Sequence, residues 1–118
     1  MNWYIAKIIF RIVSGEGNHT PQFDEQLRLI SAGGEKEAFE KARNIGQQEE
    51  DSFVNQKNQL VHWQFINIPE LHKLSSLADG DELYSRVHEY DNAKRFIDTI
   101  NKKADHLRSA FSKTLTEA

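Results

Sequence analysis

Cysteine is absent from the 118 residues. Disulfide staples, thiol nucleophiles and cysteine-ligated zinc are therefore excluded. No apolar run approaches the roughly 20 residues that a membrane helix needs. The longest apolar-rich stretch, residues 3–13, is interrupted by Lys7 and Arg11. The opening Met1-Asn2-Trp3-Tyr4 lacks the basic region and apolar run of a secretory signal, so a cytoplasmic protein with no membrane partner is expected. Charge of one sign is also scarce. A formal net charge of -3 gives no electrostatic grip on nucleic acid. The five histidines show neither H-x-H nor H-E-x-x-H spacing, so no metal site is expected. No G-x-S-x-G elbow, Walker loop or G-x-G-x-x-G occurs, and no cofactor is implied. Gly15-Glu16-Gly17 is too short to cradle a phosphate and reads as a turn.

What is present suits one small domain. Apolar residues make up 38% and aromatics 10%, too many for a disordered chain and enough for one compact core. Tyr4, Ala6, Ile8, Phe10 and Ile12 alternate, with Trp3, Ile5 and Ile9 on the other face. Period two with β-branched and aromatic residues predicts a strand covered on both sides. Residues 14–21 read as a loop. Phe23, Glu25, Leu27 and Leu29 then share one face of a second, antiparallel strand.

Gly33-Gly34 ends that strand. Ala38, Phe39, Ala42 and Ile45 form the apolar stripe of a helix with acidic residues in its first turn, and Gly46 marks its expected end. Residues 53–55 and 60–68 read as a hairpin around Gln56-Lys57-Asn58, closed by Pro69. Leu71, Leu74 and Leu77 have helical spacing. Asp79-Gly80-Asp81 is a turn signal, and residues 82–90 alternate as a further strand. From Asp91 or Asn92, either able to cap, a long amphipathic helix runs through residues 91–118. The expected fold is α+β, a mainly antiparallel sheet of four to five strands with two main helices in the order β-β-α-β-β-β-α, forming a single domain over residues 1–118.

Several segments resemble an uncharacterised bacterial family, domain of unknown function 4288. They are Trp3-Tyr4-Ile5-Ala6-Lys7, Pro21-Gln22-Phe23-Asp24-Glu25-Gln26, residues 38–46, Val61-His62-Trp63-Gln64-Phe65-Ile66 and Asp79-Gly80-Asp81-Glu82-Leu83-Tyr84-Ser85-Arg86. The resemblance covers roughly residues 2–90. It implies a small, single-domain cytoplasmic bacterial protein and supplies no activity. The helix after Asp91 is less clearly part of the shared pattern, and the resemblance implies nothing about it.

Two constellations are candidate sites. Glu25 shares a face with Phe23, Leu27 and Leu29. Burial there would raise its pKa unless Lys7 or Arg11, on the adjacent strand, pairs with it. A ligand pocket around Glu25, His62 and His88, with Lys7, Arg11, Trp63 and Arg86 near it, is one reading, and it would make the chain a small-molecule binder or small enzyme. The aromatics otherwise read as core. The second constellation is the C-terminal helix. Its apolar residues include Phe96, Ile100, Leu107, Phe111 and Leu115. Residues 91–118 carry six Lys or Arg against four acids, whereas residues 35–51 carry six acids against three bases. About 25 helical residues extend roughly 37 Å, more than a compact domain of this size requires. The leading expectation is a non-enzymatic binding or protein-interaction module, a homodimer through this helix, with another protein partner as the variant reading.

Overall fold

The computed structural model describes residues 1–117, and the side-chain surroundings of residues 1–113. Four strands and two helices follow the order β1 (Asn2–Ser14), β2 (Gln22–Ala32), α1 (Glu35–Gln48), β3 (Asp51–Val54), β4 (Leu60–Leu74) and α2 (Ala93–Glu117). The strands form one sheet in the order β2-β1-β4-β3, with every neighbouring pair antiparallel. The α+β fold with an antiparallel sheet and two helices is as the sequence predicts. The chain divides into two compact units, Met1–Tyr84 and Ser85–Ala118.

β1 lies inside the sheet, paired along both edges, and is apolar on both faces. Tyr4, Ala6, Ile8 and Phe10 are buried against α1, together with Ile30, Ala32 and Ile68. The helix reaches the sheet closely because Ala38, Ala42 and Gly46, spaced by four, line its inner edge. Phe39 and Ile45 pack on the margin of the same core. Gly46 does not end the helix. It sits where the Phe65 ring would overlap any Cβ, so its small size serves packing rather than termination. At the helix start Gly34 gives no side-chain cap, and the Glu37 carboxylate reaches back to accept the Gly33 N–H at 2.8 Å, which fixes the chain entering the helix.

The hairpin between β3 and β4 turns where expected. Asn58 takes the left-handed conformation, φ 61°, and so replaces the usual glycine. Asn55 Oδ1 accepts the N–H groups of Lys57 and Gln59, both at 3.0 Å. Beyond Pro69 the chain departs from expectation. Residues 70–74 continue β4 instead of turning into a helix. β3 pairs only as far as Trp63, so the later part of β4 is an edge, and its pairing with β1 shifts register between Lys7 and Phe10. A proline that donates no hydrogen bond is tolerated at such an irregular edge. The three-residue spacing of Leu71 and Leu74 then places them on opposite faces. Leu71 packs toward the α1 core, and Leu74 is buried on the other side.

Residues 82–90 form no strand among the described residues. Their alternation is met by irregular packing instead, since Leu83 and Tyr84 lie on the open sheet face and residues 85–90 belong to the second unit. Ala78 and Asp81 close a turn around Gly80, φ 87°, and Asp81 fixes it by accepting from Ser76 Oγ at 2.5 Å and Ala78 N–H at 2.7 Å.

Candidate functional site

The sheet face away from α1 is covered in part by residues 75–84. Ile5, Leu27, Leu29, Leu74, Leu77 and Leu83 surround a small apolar cavity of about 270 Å³, with Tyr84 at its side. Next to it lies a polar cluster. Lys7 is opposite Glu70 across β1 and β4, and their side chains meet at 2.7 Å. The Lys7 ammonium is also 5.4 Å from the centre of the Tyr84 ring, whose edge stands on His72 at 5.5 Å. Hydrogen bonding to the Glu70 carboxylate raises the Lys7 pKa above the ordinary lysine value, against a smaller opposing effect of desolvation. The expected Glu25 partner is replaced. Glu25 is exposed opposite Ile9 and acts on Lys7 only as a weaker, longer-range charge. Reading residues 70–77 as a short helix or tight turn hides Glu70 and His72; their period-two spacing is legible in the sequence, whereas their place beside Lys7 follows from the pairing of β4 with β1.

Of the residues expected around one pocket, Glu25 and His62 belong to the first unit and are not brought together there. Glu25 and His62 both lie on the open face, but β1 separates them, Glu25 opposite Ile9 and His62 opposite Val13. Four residues along a strand are roughly 13 Å, with two strand spacings across in addition. His62 instead meets Ser52 Oγ at 2.7 Å on the adjacent strand. Trp63 packs on the opposite face, with the α1 core. Arg11 is exposed opposite Gln64. Arg86 and His88 lie in the irregular start of the second unit, where the His88 ring is tilted against Tyr90 at 5.9 Å.

The loop after β1 is shaped by His19. Its Nδ1–H donates to the Thr20 carbonyl at 2.8 Å, while Nε2 accepts the Ser14 N–H at 3.1 Å. An open polar groove beside it is lined by Glu16, Asn18, Gln22, Lys57 and Gln59 as well as His19. Among the described residues, no group of three or more His, Asp and Glu is placed to hold a metal ion, and no helix is long and apolar enough to cross a membrane.

In the second unit, Asn92 rather than Asp91 caps α2. Its Oδ1 accepts the Arg95 N–H at 3.0 Å, and the Phe96 N–H reaches the Asn92 carbonyl at 3.2 Å. Tyr90 stacks on Phe96 with ring centres 4.3 Å apart, fastening the chain entering the helix to its first turn. Along the helix, Ala93, Ile97, Ile100, Ala104, Leu107 and Phe111 recur at alternating spacings of four and three. This is the a/d seam of a heptad repeat. Ile97, Ile100, Leu107 and Phe111 are 54%, 46%, 56% and 62% exposed. The sequence shows the three-or-four spacing at once; the heptad phase separates Phe96 from the seam and assigns it to the flank. Leu115 falls outside the residues whose side chains are described.

The model of the family described as a domain of unknown function, DUF4288, matches residues 3–85. The chain belongs to the DUF4288 family. No curated protein and no solved structure matches it. The DUF4288 match nearly coincides with the first compact unit, Met1–Tyr84, so the sheet, α1 and the Tyr84 cluster are the family's domain. α2 lies beyond the matched residues.

Proposed function

We propose that this chain is a non-enzymatic protein-interaction module that self-associates through α2. The observation that carries this reading is the half-exposed heptad seam from Ala93 to Phe111, on a helix outside the matched domain. A contiguous apolar stripe left in water favours a partner that covers it. A helix also draws most of its stability from burying such a face, not from propensity. The sheet unit supports the reading from the other side. Its polar groups include structural pairs such as Lys7 with Glu70 and Ser52 with His62, which ties side chains that catalysis would need free.

Sedimentation equilibrium of the full chain tests this. The expected result is a concentration-dependent dimer that Ile100→Glu and Leu107→Glu each convert to monomer while the circular dichroism of the sheet is retained. A wild-type chain that remains monomeric at the highest attainable concentration would rule the reading out.

A further inference from the structure

We infer that the two copies of α2 pair antiparallel, with their midpoint near Lys102. This rests on the self-association proposed above and adds its direction. The six seam residues run small, large, large, small, large, large: Ala93, Ile97, Ile100, Ala104, Leu107, Phe111. Antiparallel pairing sets a positions against d positions. The layers become Ala93 against Phe111, Ile97 against Leu107, and Ile100 against Ala104, each formed twice. Every alanine then faces a large side chain, and the layers have similar thickness. Parallel pairing sets each residue against its own copy. Ala93 and Ala104 would each face alanine and leave voids, while two Phe111 rings would crowd one layer. Interiors close to crystal density penalise both faults. The seam spans 18 steps from residue 93 to residue 111, about 27 Å of helix.

The flanks of the seam set the salt response. Lys94, Asn101 and Arg108 lie at e, and Phe96, Lys103 and Ala110 at g; none is acidic. In the antiparallel pair, e faces e and g faces g. Lys94 therefore approaches Arg108 of the second copy, and the two Lys103 residues approach each other. The intrahelical pair of Arg108 with Asp105, 3.4 Å apart and well exposed, offsets this repulsion only in part. Added salt screens it and strengthens the dimer. A partner helix with acidic flanks would give the opposite response, weakening with salt.

The absence of cysteine makes the test clean, because any disulfide arises from an introduced residue. Full-length Ile97→Cys and ¹⁵N-labelled Leu107→Cys are mixed in equal amounts, equilibrated in a glutathione redox buffer and resolved by non-reducing mass spectrometry. Antiparallel pairing gives mixed 97–107 disulfides in excess over both homodisulfides. Asn101→Cys, which leaves the seam intact, should couple to its own copy, because position 101 lies beside the two-fold axis. Sedimentation at about 0.05 M and about 0.5 M salt, where the Debye length falls from roughly 14 Å to roughly 4 Å, should show a larger dimer fraction at the higher salt. Homodisulfides at 97 and 107 with an intact dimer would overturn the direction and leave self-association standing. A dimer that weakens with salt would overturn the basic-flank pairing. Wild-type monomer in both salts would overturn this inference and the proposed function together.

Discussion

Lys7 and Glu70 face each other across β1 and β4 with 2.7 Å between ammonium and carboxylate. The Lys7 side chain is only 12% exposed. A charge so enclosed depends on its partner, and removing one member costs more than the pair is worth over an apolar replacement. Glu70→Gln and Lys7→Gln are each expected to lower the urea midpoint. Lys7→Met with Glu70→Leu should recover much of the loss. The check is a double-mutant cycle, and equal, additive losses would contradict it.

The same pair gives an alkaline signature. The folded-state pKa of Lys7 is raised above 10.5, first by its hydrogen bond to Glu70. A raised lysine contributes stability that is fully present below the unfolded value and is lost as pH rises through the folded value. The wild type is therefore expected to lose stability above about pH 10.5 more steeply than Lys7→Met. Thermal melts across that range measure the difference in slope.

Asp81 acts at the other end of the scale. Hydrogen bonds from Ser76 Oγ and then the Ala78 N–H lower its pKa below 3.8. Its contribution is present above the unfolded value and lost as pH falls through the lowered folded value. Residues 75–84 are expected to loosen on the sheet in acid, read by faster amide exchange at Ala78. Asp81→Asn should show that loosening already at neutral pH and respond less to acid.

The sequence carried the parts of this fold that depend on local pattern. β1 is legible because its two faces alternate, and α1 because Ala38, Ala42 and Ile45 fall on one side. The irregularity of β4 is not legible in this way. Pro69 and the leucine spacing at 71, 74 and 77 both argue against a strand locally, and β1 overrides them by offering eleven partners along its length. The same override explains the candidate site. Glu25 lies on the strand next to Lys7, opposite Ile9, but the choice between partners on β2 and β4 is made by strand order, which one sequence does not display. α2 is the reverse case. Its heptad phase is wholly local and needs no neighbour to be read.

Gly46 tests how far local propensity rules where packing is tight. It lies inside α1, and alanine there would be favoured over glycine by about 1 kcal/mol on helix propensity alone. The Phe65 ring, however, occupies the space of the new Cβ, and the ring is itself held edge-on by Phe10 with centres 6.1 Å apart. Neither ring yields without moving the core between β1 and β4. Overpacking of this kind costs typically 1–3 kcal/mol, roughly enough to exceed the propensity gain. Gly46→Ala is therefore expected to lower the melting temperature, although the same change at an exposed helical glycine would raise it. Phe65→Leu opens the space at a cost of its own. In that background Gly46→Ala should turn neutral or stabilising, so the two changes should couple with opposite sign. Chemical denaturation of the four proteins in this cycle measures the coupling. Additive effects would mean that α1 stands further from the sheet than its Ala38, Ala42 and Gly46 edge indicates.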